Sequence, residues 1–352
     1  MRIVTAMSGG VDSSVAAALL AKQGHDVVGL SMQLYDQQNG EITFGSCCTL
    51  DDLYDARRVA AAIGIPHYIV NFERKFEEHV VSDFVREYAA GRTPIPCVHC
   101  NGDLKFASLV ERAAGFDAEA VATGHYAQVR FDETTRRYRL ERGADRQKDQ
   151  SYFLFTLSQA QLARARFPVG ALDKAEVREE ARRLGLRVAE KKDSQEICFV
   201  AAGEHAGFVG KRASIPGGEI RDRSGQILGH HDGVHRFTIG QRKGLGLAAG
   251  VPLYVVDIDA ANAAVTVGRR EDLERHTLTA SRVNWIDGTT PAAPLRAHAR
   301  IRYRHAEAPA TVTPLEGNRA SVVFDDPQTA ITPGQAVVFY DGDVVLGGGW
   351  IE

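Results

Sequence analysis

Along the first half of the chain, short apolar runs alternate with stretches whose apolar residues recur every three to four positions. Ile3 to Met7 predicts a buried strand, and Val11 to Gln23 predicts a helix with Val11, Val15 and Leu19 on one side. Gly24 closes that helix, and Asp26 to Met32 predicts the next strand. Thr49-Leu50-Asp51-Asp52 has the form of a capping box ahead of a helix carrying Leu53, Ala56, Ala60 and Ile63. Gly64 ends that helix and Pro66 keeps it from resuming. His67 to Phe72 predicts a strand, followed by a helix with Val80, Val81, Phe84, Val85 and Tyr88. A loop, a helix from about Gly102 and a strand from Ala120 to Thr123 complete the series. Such repetition predicts a parallel sheet covered on both faces, because parallel strands need crossover helices that then shield the sheet.

The pattern changes after about residue 210. Pro216-Gly217-Gly218 opens a stretch of β runs at Leu253 to Ile258, Ala264 to Val267, Ala297 to Arg304, Ser321 to Phe324 and Ala336 to Tyr340. Gly, Asp and Asn turns separate them, and no long helical period remains. The expected organisation is an α/β domain over residues 1–210, a small central β-rich domain over 211–275 and a C-terminal β-barrel over 276–352. A length of 352 residues suits several cores better than one.

Composition narrows the class. Hydrophobic residues make up 44% and charged residues 25%, which excludes a disordered chain. No apolar run approaches the roughly 20 residues of a membrane helix. The N-terminus reaches Gly9 and Asp12 too early for a signal peptide, so a cytoplasmic protein without a membrane partner is expected. Five cysteines, an odd number, argue against a disulfide framework and for reactive or metal-bound thiols. A formal net charge of −3 gives no global case for nucleic-acid binding, so any RNA contact must come from local patches.

The most specific motif is Ser8-Gly9-Gly10-Val11-Asp12-Ser13-Ser14, between the first strand and the first helix. Two glycines let the backbone turn tightly, and the free N–H groups and hydroxyls at a helix start hold an anion. The Gly-Lys-Ser/Thr end of a Walker loop and the Gly-x-Gly-x-x-Gly pattern of a dinucleotide fold are both missing. The bland alternative is a glycine turn with a serine cap. Asp12 reads either as a magnesium ligand or as a helix cap.

Cys97 and Cys100 lie in the proline loop Thr93-Pro94-Ile95-Pro96-Cys97-Val98-His99-Cys100-Asn101. Asn101 is an N-cap candidate that would put Cys100 at a positive helix end, where a thiolate is favoured. Cys198 follows Lys191 and Lys192, which would likewise favour a thiolate. A structural zinc half-site completed by Cys47 and Cys48, or a redox pair, remain as alternatives. For RNA, strand alternation puts His298, Arg300, Arg302 and Arg304 on one face of Ala297 to Arg304, opposite Ile301 and Tyr303. A solvated strand face is the plain alternative. His230, His231 and His235 fit a β-turn better than a metal site.

The loop resembles that of the N-type ATP pyrophosphatase superfamily, whose members cleave ATP between the α- and β-phosphates and adenylate a carbonyl oxygen. Taken with Ala122 to Ala127, Lys148 to Leu154, Asp193 to Phe199 and Thr238 to Gly246, it resembles the tRNA-specific 2-thiouridylases over nearly the whole chain. The fold implied is a parallel sheet of the N-type ATP pyrophosphatase kind with the two β domains behind it. The activity implied is ATP-dependent 2-thiolation of the wobble uridine of tRNA, with Mg2+ and a persulfide sulfur-donor protein. By this resemblance Cys198 carries sulfur as a persulfide and Cys100 is its partner nucleophile, the two finishing as a disulfide. Ala6, Met7, Ser8, Gly9, Gly10, Val11, Asp12 and Ser13 then contact ATP, with Gly124 and the backbone of Met32. His125, Lys148, Asp149, Gln150, Arg302, Tyr303 and Gln335 match positions at the tRNA.

Two departures stand out. Cys97 replaces a common aspartate acid–base residue, and Ile95 replaces a common asparagine. An ordinary thiol titrates near ~8.5 rather than ~4, so Cys97 substitutes poorly for a carboxylate. It supplies instead a third thiol, which opens a second route: sulfide carried on a [4Fe-4S] cluster held by Cys97, Cys100 and Cys198. The persulfide route is preferred, because it needs no added cofactor. Outside this class stand a small-metabolite ligase with the same loop, and a non-enzymatic RNA-binding or iron–sulfur carrier protein.

Overall fold

The computed structural model describes residues 1–34, 49–192, 197–201, 203–248 and 250–352. Cys47, Cys48 and residues 193–196 of the Cys198 motif therefore lie outside the described residues.

The first apolar run becomes strand Arg2–Ala6 at the centre of a parallel sheet. Among the described residues the spatial order is His67–Asn71, Asp26–Gln33, Arg2–Ala6, Ala120–Ala122 and Ala165–Arg166, every neighbouring pair parallel. The chain first builds outward to one side of Arg2–Ala6 and then to the other. The order thus reverses between Arg2–Ala6 and Ala120–Ala122, and the loops leaving these two strands splay apart into a crevice at the C-terminal edge.

Helix Val11–Lys22 covers one face. Its Val11, Val15, Ala16 and Ala17 pack with Ala56, Val59 and Ala60 of helix Leu50–Ile63 and with Val177 and Ala181 of helix Lys174–Arg183. The capping box at Thr49 is formed: Asp52 N–H donates to Thr49 Oγ1 at 3.2 Å, and Thr49 N–H donates to the Asp52 carboxylate at 2.8 Å. The other face carries helical residues 73–89 and 96–115. The second runs without a break through Pro96–His99, a π turn Cys100–Phe106 and Ala107–Gly115. It therefore starts six residues before the expected position, because proline fits the first helical turn, where no N–H partner is needed. Asn101 lies inside this helix and caps nothing.

The central sheet has the order Tyr254–Asp259, Ala264–Gly268, Gly218–Asp222, Ile227–His231. Among the described residues, Glu274–Trp285, Arg319–Thr329, Ala308–Leu315, Leu295–Arg300, Ala336–Asp341 and Val344–Ile351 follow one another around a barrel. Glu274–Trp285 closes it by pairing antiparallel with Val344–Ile351. The sequence pattern gave no sign of hairpin Ala127–Asp132/Arg137–Arg142, which belongs in sequence to the first domain. In space it extends the barrel sheet through Val344↔Glu141 and Val345↔Leu140.

The basic strand is shorter than expected. Ala297, Ala299 and Ile301 are buried as the alternation requires, but the strand ends at Arg300 and the chain bends. The bend turns Tyr303 onto Phe153, with ring centroids 4.4 Å apart, and directs Arg300 Nε to the His305 carbonyl at 3.1 Å. His298, Arg300, Arg302 and Arg304 consequently do not share one strand face.

The segment after the hairpin plugs into the barrel through Asp149, which is only 2% exposed. Its carboxylate accepts from Gly143 N, Ser151 N and Ser151 Oγ, each at 3.1 Å. Arg142 lies 3.6 Å away and Arg300 3.8 Å away. Asp149→Ala leaves the buried Arg142 with Glu307 as its remaining carboxylate and, among the described residues, the half-buried Arg300 with none, so a loss toward the lower end of about 3–5 kcal/mol in unfolding free energy is expected. Chemical denaturation checks this, and a loss under about 1 kcal/mol would contradict the buried network.

Candidate active site

Ser8 to Ser14 leaves strand Arg2–Ala6 at the crevice and enters helix Val11–Lys22. The loop is held by its own side chains. Ser8 N donates to Ser13 Oγ at 3.1 Å, Ser13 Oγ to the Gly10 carbonyl at 3.2 Å, and Ser14 Oγ to the same carbonyl at 2.8 Å. Gly9 has φ +74°, and a Cβ there would stand 2.1 Å from the Asp52 carbonyl oxygen, so only glycine fits. Gly124 closes the crevice from the neighbouring strand: a Cβ on it would lie 2.5 Å from Ser13 N. Ala6, Met7 and Met32 stand at the same C-terminal edge, where Met7 N donates to Leu30 O at 2.9 Å and Ser31 Oγ donates to Met7 O at 2.6 Å.

Asp12 does not cap the helix, whose N-cap is Gly10. Lys174 Nζ donates to its two carboxylate oxygens at 2.7 and 2.9 Å, and Tyr126 Oη donates to Oδ1 at 2.8 Å. Lys191 takes a role different from the expected thiolate stabilisation. Its Nζ donates to the Gly9 carbonyl at 3.0 Å, to Asp52 Oδ1 at 2.6 Å and to Asp55 Oδ2 at 2.7 Å. Burial opposes its charge, but the hydrogen bonds to Asp52 and Asp55 outweigh burial and hold its pKa above the ordinary lysine value.

Cys100 sits in the π turn, 6% exposed, in an apolar cluster with Val98, Leu104 and Phe106; Cys198 packs against the same cluster. Phe199 anchors the Cys198 end edge-on to Phe76 at 5.4 Å and Phe84 at 5.2 Å. Cys97, in the first helical turn, is exposed. The helix-end argument for a thiolate therefore applies to Cys97 rather than Cys100.

This helix is docked on the barrel. Gln335 Nε2 donates to the Thr93 carbonyl at 2.9 Å and the Pro94 carbonyl at 3.3 Å, and Thr93 N donates to Pro333 O at 2.9 Å. Thr93 Oγ1 meets Thr238 Oγ1 of the central domain at 3.2 Å. His99 stacks on Trp350, centroids 5.2 Å apart at 23°, and approaches Asp83 Oδ2 at 3.5 Å.

His125 bridges the two halves of the site. It adjoins Gly124, shares a 2.7 Å hydrogen bond between Nδ1 and Thr123 Oγ1, and lies 6.2 Å from Phe106 and 6.1 Å from Phe167, ring to ring. Gln150 Oε1 accepts from Tyr126 N at 3.0 Å, so the amide of Gln150 is committed to the segment beside the loop, while Lys148 is half-buried. Arg302 is half-buried too. Its Nη2 donates to the Thr329 carbonyl at 3.1 Å, its Nε has no acceptor among the described residues, and burial pushes its pKa below the usual guanidinium value.

Lys174, Lys191, Tyr126 and Trp350 were not singled out as site residues by their sequence context. Lys191 stands in a quoted motif, yet its direction is set by a fold that brings residues 9, 52 and 191 together. Among the described residues, no three His, Cys, Asp or Glu side chains converge as a metal site, and no helix is long and apolar enough to cross a membrane.

A glycine–serine loop at the reversal point of a parallel sheet, with cysteines on an adjacent helix and two β domains behind, defines the ATP pyrophosphatase kind of α/β protein. Three families match in series: one described as tRNA methyl transferase HUP domain over residues 1–202, a tRNA methyl transferase PRC-barrel domain over 203–269, and an aminomethyltransferase beta-barrel domain over 275–351. The tRNA-specific 2-thiouridylase MnmA of Solibacter usitatus is 56% identical over 366 residues, covering 99% of each chain. The protein of the same name from Geotalea uraniireducens is 54% identical, covering 100% of this chain and 95% of its own. That of Koribacter versatilis is 51% identical, covering 99% and 98%. The chain belongs to the tRNA-specific 2-thiouridylase family.

Burial, and secondarily the charge of Lys105, lowers the His125 pKa to about 3. The folded value lies below the unfolded one, so stability from the neutral ring is present above about pH 6.5 and is lost as pH falls from there toward the folded value. In a histidine-labelled NMR titration, His125 should show no midpoint between about pH 5 and 8. A midpoint near the ordinary value would contradict the lowered pKa.

Proposed function

We propose that this protein thiolates carbon 2 of the wobble uridine in tRNA, spending ATP to activate the base and a cysteine persulfide to deliver sulfur. The observation that carries this reading is one continuous contact path. It runs from the phosphate loop through Gly124 and His125 to Phe106, which shares the helix and apolar cluster of Cys100.

The chemistry follows from these groups. ATP lies with its phosphates on the loop N–H groups and Ser8 and Ser13. The uridine carbonyl oxygen attacks the α-phosphorus, pyrophosphate leaves, and the base carries AMP on that oxygen. The terminal sulfur of a Cys198 persulfide attacks carbon 2. Cys100 thiolate then attacks the Cys198 sulfur, forming the Cys100–Cys198 disulfide, and AMP leaves as the thiocarbonyl forms. A thiol reductant returns both cysteines, and a persulfide-bearing donor protein reloads Cys198. Magnesium would enter with the triphosphate; Asp12 is the loop's single carboxylate, and Lys174 engages its oxygens. His125, half-buried and kept neutral by its lowered pKa, fits the wall of a base pocket better than an acid. The target atom sits on a base edge, so the uridine has to leave the anticodon stack.

Cys97, Cys100 and Cys198 do not fit a cluster as they stand, since Cys97 is exposed where Cys100 is buried and no such triad converges among the described residues. No step is therefore routed through iron. Arg302 favours RNA contact: a half-buried guanidinium with an unsatisfied Nε and, among the described residues, no carboxylate partner suits a phosphate. Tyr303 follows it in the bend, Lys148 is half-buried in the plug segment, and Gln335 acts on RNA indirectly by holding Thr93 and Pro94. A cytoplasmic location suits a tRNA substrate and thiols that cycle.

Cys100→Ser and Cys198→Ser should each abolish thiouridine formation, since serine is a weak nucleophile and holds no persulfide. Nucleoside mass analysis of tRNA incubated with protein, ATP and a sulfur source reads this, and thiolation by either variant would remove the assigned roles. Arg302→Ala should weaken tRNA binding and reduce the salt slope of affinity by about one unit. A wild-type slope in filter binding would mean that Arg302 meets no phosphate.

A further inference from the structure

We propose that Asn101 reads the target base: its side-chain carbonyl accepts the N3–H of the flipped uridine and so holds carbon 2 beside Cys100. The proposal rests on the function given above and adds a base-binding residue that the reaction as written does not use. Asn101 is 6% exposed, and its Oδ1 has no hydrogen-bond donor among the described residues. A buried amide oxygen without a donor destabilises a fold, so one kept in that state points to a donor that arrives with a ligand. Asn101 also belongs to the π turn Cys100–Phe106, a distortion frequent at functional sites.

The neighbouring directions around this helix are taken. Val98, Cys100, Leu104 and Phe106 face the apolar cluster, His99 lies on Trp350, and Gly102 has no room for a Cβ against Thr156 Oγ1. What is left is the side shared by Cys97, Asn101 and Lys105, spaced four residues apart. Cys97, at one end, is exposed. At the other end the charge of Lys105 reaches His125, which adjoins Gly124 at the phosphate-loop crevice. Asn101 therefore lies between a solvent-facing end and the nucleotide end, next to Cys100. On this side Lys105 only donates and a thiol accepts weakly, so the amide oxygen is the strong acceptor. Uracil carries N3–H between two carbonyl oxygens on its Watson–Crick edge, the edge on which a flipped base is read. N3 is bonded to carbon 2, so one hydrogen bond there fixes the reacting atom. As the O2 oxygen attacks phosphorus the ring gains positive charge, and N3–H, which keeps its proton, becomes a stronger donor. The bond thus favours the transition state over the ground state.

The test measures dissociation constants by filter binding, with a non-hydrolysable ATP analogue present, for tRNA carrying uridine or N3-methyluridine at the wobble position. Methylation removes the N3–H. In the wild type it should weaken binding at least about tenfold, as expected for loss of a base-edge contact. In Asn101→Ala it should weaken binding less than about threefold, because the contact is already gone and the two losses are not additive. Asn101→Asp, which keeps an acceptor oxygen, should respond as the wild type does. For tRNA with unmodified uridine, kcat for thiolation should fall by about 5–100-fold in Asn101→Ala, with KM changed less. Asn101→Ser, too short to reach the base, repeats the comparison if Asn101→Ala fails to fold. An amide with a merely structural role would weaken both tRNAs alike and leave the effect of methylation at its wild-type size. That result, or a wild type indifferent to methylation, would overturn the proposal. Lack of thiouridine formation by the wild type would instead bring down the proposed function, and is a separate readout.

Discussion

The structure depends on how the segment Thr93 to Cys100 is held, because its own domain does not hold it alone. Backbone groups at Thr93 and Pro94 are claimed by Gln335 and Pro333 of the barrel, and the Thr93 hydroxyl by Thr238 of the central domain. Below them, one apolar cluster runs from Val4 and Val28 of the parallel sheet through Val98, Cys100 and Leu104 to Val338, Tyr340 and Trp350. A buried side chain of this size contributes about 1.5–3 kcal/mol, so the cysteine helix and the barrel stabilise each other across the domain junction. Hairpin Ala127–Asp132/Arg137–Arg142 strengthens the junction by adding backbone pairing, and Asp149 by adding a buried charge network.

Charge in the crevice is arranged by the same logic. Asp12 is matched by Lys174, and Asp52 and Asp55 by Lys191, so the loop presents its N–H groups and hydroxyls to an incoming anion while its charges are already paired. This is preorganisation: little has to rearrange when phosphate arrives. Arg302 is the contrasting case, a desolvated cation with no carboxylate near it among the described residues. A group in that state is costly until an anion reaches it, which is the physical reason to look for RNA there. Arg300, two residues away, is already spent on Asp149 and the His305 carbonyl.

Sequence reading worked where local rules dominate. The strand-helix alternation gave the parallel sheet, Thr49 and Asp52 gave the capping box, and the two-residue period of Ala297, Ala299 and Ile301 gave the buried barrel face. It failed where a distant partner overrode the local signal. The strand at Arg300 ends early because Tyr303 is drawn to Phe153. The helix begins at Pro96 rather than near Gly102, and Asn101 goes inside it, because Val98, Leu104 and Phe106 bury one helical face against the sheet. The hairpin at 127–142 escaped notice because its polar strands find their core only on the barrel.

By itself the sequence determined the chemistry on offer: a glycine–serine loop for phosphate, thiols at 97, 100 and 198, and the order of three folding units. These are properties of residue type and short spacing, fixed before any long-range contact forms. Only the tertiary structure decided what each charged side chain is for. Lys191 holds the Gly9 carbonyl, Asp52 and Asp55, Asp149 is a buried anchor, and Gln335 holds the cysteine segment from far along the chain. Such assignments depend on which distant backbones the packed core brings within hydrogen-bond reach, and no local pattern carries that distance.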